Sequence, residues 1–299
     1  MATGGRIFRF FIFSNLFISC CAVLMAWQTY YVLGITVHPD TLWFIFFSTL
    51  SSYSFHWMLT TDWTHDTSRS QWQQSARWIH PLLLVLAATG TCWFGWKLVA
   101  HWPYLLTIAL LTFLYSAPKI PHPLFKKLRQ VAIAKTLFLA IIWTMATTLI
   151  PVVTSGNNSI TGWTGLLTGT GGQNPEITFL LFLLNRFFLI YAICILFDLR
   201  DRDNDRNHGI RSLVTWLHPT QVRVLFRLSL FLFTLSGCLM LAVGQSILPV
   251  CLILIPGILT GLLYRKALLS YGDLLYYFVL DGLMALSAAI MWLISLAGR

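Results

Sequence analysis

Nine stretches of this chain are apolar and long enough to cross a hydrocarbon core of about 30 Å. They run near 10–33, 40–60, 78–98, 102–117, 130–153, 177–198, 222–243, 246–264 and 274–297. Apolar residues make up 57% of the chain and charged residues 10%, and the mean hydropathy is +0.72, far outside the range of a water-soluble globular domain. The expected fold class is therefore all-α: a polytopic integral membrane protein of about nine transmembrane helices in one domain, residues 1–299. The fourth stretch is short and aromatic, and also reads as half of a hairpin with the third. The first follows Arg6 and Arg9 as a leader would, but it is long and lacks a small-residue cleavage site, so it is expected to stay as a helix.

Basic residues orient the bundle, because short cytoplasmic loops retain Lys and Arg. Under the nine-span count, sixteen of the twenty basic residues fall on one side, in the N-terminus, in loops near 61–77, 118–129, 199–221 and 265–273, and at the start of the seventh span. Lys97 and Arg299 fall opposite, and Lys135 and Arg186 lie within spans. The N-terminus is expected in the cytoplasm and the C-terminus outside, in a plasma (inner) membrane. The net charge of +10 then reflects topology and contact with anionic lipid, with no nucleic acid implied. The six cysteines, Cys20, Cys21, Cys92, Cys194, Cys238 and Cys251, all lie in apolar stretches without metal-like spacing and read as inert.

Acid is scarce, and its distribution is informative. Asp198, Asp201, Asp203 and Asp205 are four of the ten carboxylates, packed directly behind the apolar run that ends at Phe197. On a helix Asp198, Asp201 and Asp205 stand at i, i+3 and i+7 and share a face, while Asp203 turns aside. Like charges so placed repel, so the face calls for a cation, and a hard divalent ion bridging to a phosphate suits it. A solvated, salt-bridged loop is the plainer alternative.

The 118–129 loop carries Pro118, Pro121 and Pro123, which stiffen it, and Lys119, Lys126, Lys127 and Arg129. Opposite a carboxylate-held metal, such cations suit a diphosphate, as do Arg206 and Arg211 beyond the acidic run; topology alone also explains basic residues here. Asp62 and Asp66 form an i, i+4 pair that offers either a second carboxylate station or a helix cap and a partner for Arg69. Within the spans, Asn185, Arg186 and Asp281 should face the interior. Arg186 is read either as facing the same cavity as Asp198 or as the partner of Asp281. Lys135 is read as snorkelling or as lining that cavity. Tyr115, Tyr191, Tyr276 and Tyr277 offer an aromatic wall for an isoprenoid tail or an allylic cation.

The run Asp198-Leu-Arg-Asp201-Arg-Asp203-Asn204-Asp205-Arg206-Asn-His-Gly209-Ile-Arg211-Ser-Leu213 resembles the second aspartate-rich motif of the UbiA-type membrane prenyltransferases. Leu114-Tyr115-Ser116 with basic residues beyond, and acidic loops after the second and sixth spans, extend the resemblance in layout to nearly the whole chain. It implies a helical bundle around a central cavity, and Mg2+-dependent transfer of a prenyl group from an isoprenoid diphosphate to a lipophilic acceptor. Asp198, Asp201 and Asp205 would be the catalytic metal ligands. Asp62 and Asp66 would be further ligands, and Lys119, Lys126, Lys127, Arg129, Arg206 and Arg211 would contact the diphosphate. The expected partners are these substrates and membrane lipid, with no obligate protein partner.

The family's first motif, Asn-Asp-x-x-Asp-x-x-x-Asp, is not intact. A register starting at Ser54 keeps only Asp62, whereas one ending at Asp62 and Asp66 puts Met58 and Leu59 where Asn and Asp belong. Loss of one metal clamp removes transition-state stabilisation. The alternative reading is therefore a non-catalytic relative that binds an isoprenoid or a partner. A small-solute transporter ranks last, because the break at Pro256-Gly257 has no twin elsewhere.

Overall fold

A computed structural model describes residues 3–59, 68–76, 78–117, 135–155, 175–207, 212–270 and 272–298. The described residues are helical, with no strand among them. The helices are α1 (Thr3–Phe13), α2 (Leu16–Leu33), α3 (Pro39–Met58), α4 (Ser68–Ser75), α5 (Ile79–Lys97) and α6 (Trp102–Ser116). They continue with α7 (Lys135–Ser155), α8 (Pro175–Asn207), the single turn α9 (Leu213–Trp216), α10 (Pro219–Ala242), α11 (Ile247–Leu269) and α12 (Leu275–Ala297). Eight are long and apolar enough to cross a membrane: α2, α5, α6 together with the 3-10 turn Val99–His101 before it, α7, α8, α10, α11 and α12. This is the structure of an integral membrane protein.

Each of the nine apolar stretches, over its described residues, coincides with helix, with two differences from the sequence reading. The 40–60 stretch, α3, is 20 residues long, but Thr41, Ser48, Thr49, Ser51, Ser52 and Ser54 make it less apolar than the eight. It packs between α2 and α5, where Thr41 and Ser54 are buried. The 10–33 stretch is two helices. The chain breaks at Asn15, which takes the left-handed conformation (φ 68°). Asparagine tolerates that region better than most residues, so the apolar run turns here without Pro or Gly. The first piece, α1, leaves Ile7, Phe8, Phe10 and Phe11 exposed beside Arg6 and Arg9.

Local chemistry sets most other boundaries. Gly34 closes α2 at φ 64°, donating its N–H to the Tyr30 and Tyr31 carbonyls. His38 and His218 precede Pro39 and Pro219 at the first turns of α3 and α10, and His218 forms a reciprocal cap with Gln221. α8 runs through the middle of the bundle against α7, α10 and α11, and Ile190, Ile193, Ile195 and Leu196 are wholly buried. At Gly257 a Cβ would stand 2.1 Å from the Phe233 ring, so the missing side chain sets how closely α10 meets α11. Asn185 Nδ2 donates to the Phe233 carbonyl at 2.8 Å, tying α8 to the same spot. The six thiols are unpaired. Cys21 and Cys194 are buried, but Cys92, Cys238 and Cys251 lie on outward helix faces instead of packing inside.

Candidate functional site

α8 continues as a helix beyond its apolar part to Asn207, so the four aspartates ride on a rigid rod and not on a loop. Their burial follows the helical register: Asp198 and Asp205 are buried, Asp201 is half-buried and Asp203 is exposed. The first turn of α7 meets this face. Thr136 Oγ1 donates a hydrogen bond to Asp198 Oδ2. Beside it Lys135 lies within electrostatic reach of Asp198, Asp201, Asp205 and Tyr115. Tyr115, near the end of α6, stacks on His56 of α3 with ring centroids 5.4 Å apart. Part of the cation that the acidic face calls for is thus built into the chain.

A second polar cluster flanks the same helix end. Arg200 Nη2 donates to Asp273 Oδ1 at 2.7 Å, and both side chains are buried. The other carboxylate oxygen of Asp273 accepts the backbone N–H of Arg69 at 2.7 Å. Arg69 is sandwiched between Trp57 and Tyr277, its guanidinium carbon 3.9 and 4.0 Å from the ring centroids, and its Nη2 donates to Asn15 Oδ1 at 2.9 Å. Arg200 lies over Tyr276 and Tyr277 at 4.7 and 4.9 Å. A π turn over Leu275–Leu280 opens α12 and carries both tyrosines. Burial lowers the pKa of Arg69, opposed by the nearby Tyr277, Asp281 and Asp273. Asp201 is within reach of Lys135 and Tyr115 on one side and of Arg200 and Tyr277 on the other. It therefore stands between the two clusters.

Asp273 was not singled out from the sequence. Its only signal was an acid one residue before the last span, on the side otherwise crowded with cations. Tyr276 and Tyr277, read as an aromatic wall, instead hold guanidinium groups, and Tyr276 also donates its hydroxyl to the Ala267 carbonyl at 2.8 Å.

Arg186 does not pair with Asp281. It donates through Nη1 to Thr29 Oγ1 (2.8 Å), the Thr147 carbonyl (2.7 Å) and Thr148 Oγ1 (3.2 Å), and through Nη2 to Gln28 Oε1 (2.8 Å). The Phe182 ring lies 4.5 Å from its guanidinium carbon. Asp281 lies instead within reach of Arg69 and Arg200. Arg186 is thus held by neutral acceptors about three turns from Asp198, with no carboxylate paired to it among the described residues.

Asp62, Asp66, Lys119, Lys126, Lys127, Arg129 and Arg211 lie outside the described residues. Arg206 is exposed at the end of α8. Among the described residues no group of three His, Cys, Asp or Glu side chains converges to hold a metal. The three-aspartate metal cluster therefore does not form as one cage: Asp198 and Asp205 stand two turns apart, about 10 Å along the axis. Neighbours one turn apart remain, and Mg2+ ordinarily takes only one or two carboxylates and completes its shell with water and phosphate oxygens. Asp201 with Asp205, or with Asp198, fits that mode. Comparison with family models, with curated proteins and with solved structures finds no match.

Proposed function

We propose that the chain is a UbiA-type prenyltransferase, moving a prenyl group from an isoprenoid diphosphate to a lipophilic acceptor at the end of α8. The observation that carries this reading is the position of Asp201. It lies between a lysine–tyrosine pair and an arginine–tyrosine cluster, on a helix whose preceding turns are apolar and membrane-embedded. Such a place suits an amphiphile with a polyanionic head and a hydrocarbon tail.

Lys135 and Arg200 would orient the diphosphate, joined by Lys119, Lys126, Lys127, Arg129, Arg206 and Arg211. Asp201 and Asp205, with Asp198 behind them and Asp62 or Asp66 opposite, would hold Mg2+, which supplies charge neutralisation for the leaving diphosphate. Tyr115 and Tyr191 would border the tail and the electron-poor carbon that forms as the C–O bond breaks. The basic loops would put this chemistry at the cytoplasmic face.

One observation favours a non-catalytic isoprenoid-binding relative: Lys135 and Arg200 already neutralise part of the acidic face. The deciding experiment measures Mg2+-dependent diphosphate release from a panel of isoprenoid diphosphates by the purified protein. A lipid extract supplies acceptors, and Asp198→Asn and Asp201→Asn run in parallel. Release by the wild type that falls in both variants supports transfer. Saturable binding without release, acceptors present, replaces it with the binding protein.

A further inference from the structure

Ten buried side-chain nitrogen and oxygen atoms among the described residues have no hydrogen-bond partner, and seven of them belong to four neighbouring side chains and Ser14. They are Ser14 Oγ, Asn15 Nδ2, Arg69 Nε, both amide atoms of Gln73 and both ring nitrogens of His80. All five residues are at most 5% exposed. They come from the α1–α2 elbow, α4 and the first turn of α5.

Direct contacts bring them together. Arg69 Nη2 holds Asn15 Oδ1 at 2.9 Å, which sets the bare Asn15 amide nitrogen beside the guanidinium. Gln73 lies one turn after Arg69 on the same face of α4. Trp72 meets the His80 ring edge-on at 5.7 Å and Phe13 at 5.9 Å, closing the junction, and Arg69 is within electrostatic reach of His80. Buried polar atoms are almost always paired with protein, with ordered water or with a bound group, so seven bare atoms in one junction point to a polar occupant.

The donor balance says what kind. Asn15 and Gln73 offer two N–H each, Arg69 Nε one and neutral His80 one, against Gln73 Oε1, one His80 nitrogen and the ambivalent Ser14 hydroxyl as acceptors. Donors outnumber acceptors, and one of them sits on a permanent cation whose plane is fixed by Trp57 and Tyr277. An oxygen-rich anion satisfies such a set. The adjoining α1, with Phe8, Phe10 and Phe11 exposed beside Arg6 and Arg9, belongs at headgroup depth. The same chemistry is therefore available from a lipid phosphate or from free phosphate.

We propose that Asn15, Arg69, Gln73 and His80 form a binding site for a phosphate-class oxyanion, distinct from the aspartates of α8 but sharing Arg69 with the cluster beside Asp201. The site does not depend on prenyl transfer. The test uses the full chain in uncharged detergent and Mg2+-free buffer, in an Asp201→Asn background that disables the aspartate face.

In one arm, thermal stability is titrated with inorganic phosphate against chloride at equal ionic strength. In the other it is titrated with phosphatidylglycerol against diacylglycerol. Arg69 also bonds Asn15 and Asp273 and its loss risks the fold, so the variants are Gln73→Met and His80→Phe, which keep shape and remove only bare polar groups. The expected result is saturable stabilisation in one arm, weakened about tenfold by each variant, and the responding arm identifies the source. The proposal is overturned if neither arm exceeds its control, or if both variants respond as the parent does. Greater stability of the variants without any ligand response would show bare or hydrated packing.

Discussion

Two charged places on one helix behave in opposite ways. Near the middle of α8, Arg186 is a lone cation with four acceptor contacts, all from neutral groups. At the end of the same helix, Asp198, Asp201 and Asp205 face Lys135, while Arg200 faces Asp273, in a shared field with two arginines and several tyrosines. The first is closed: fixed hydroxyl, amide and carbonyl dipoles do for the charge what water would. The second is open: Asp201 is half-buried and stands between two clusters. A buried charge completed by neutral groups holds helices together, whereas an acidic surplus at a helix end has capacity left for a ligand.

The largest expected effect tests the open half. Asp201→Asn should lower Mg2+-dependent diphosphate release by roughly 100- to 1000-fold, with melting temperature in detergent nearly unchanged. A large stability loss instead would make the two places alike. Next, Arg186→Met should cost about 3 kcal/mol, read by thermal or denaturant unfolding, because it strips charged hydrogen bonds from Gln28 and Thr148. Activity per folded molecule should stay near wild type.

Asp273→Asn sharpens the boundary between the clusters. Losing the anion that joins Arg200 to the Arg69 backbone should cost about 2 kcal/mol and also raise the diphosphate concentration needed for half-maximal release. The smallest effect belongs to Lys97→Met. The Lys97–Asp40 pair is 2.9 Å long, but its side chains are 42% and 32% exposed, so unfolding should shift by no more than about 0.5 kcal/mol.

The long helices were legible because a bilayer demands length and apolarity together, and both can be read from composition. The α1–α2 break was not, since Phe10 to Phe17 stays largely apolar and the turn depends on Asn15 entering the left-handed region. The shared face of Asp198, Asp201 and Asp205 followed from helical spacing, which α8 keeps to Asn207. Their companions did not follow. Lys135, Thr136, Arg69 and Asp273 come from distant parts of the chain, and no local spacing says that α4, α7 and α12 meet α8 at one end. Opposite charge makes Asp281 the partner for Arg186 that a sequence offers. The structure satisfies Arg186 with Gln28, Thr29, Thr147 and Thr148, which carry no charge signal at all.

The Thr147 carbonyl reaches Arg186 from inside the π turn Met145–Leu149, where Ile150 N–H skips back to the Met145 carbonyl. Such a turn is a one-residue insertion carried inside a helix. Deleting one residue there would restore regular winding and leave the two ends of α7 in register, but would pull the Thr147 carbonyl into the ordinary helix ladder and away from the guanidinium. The irregular turn of α7 and the charge at residue 186 are therefore two halves of one device: the extra residue frees a backbone carbonyl, and the guanidinium uses it.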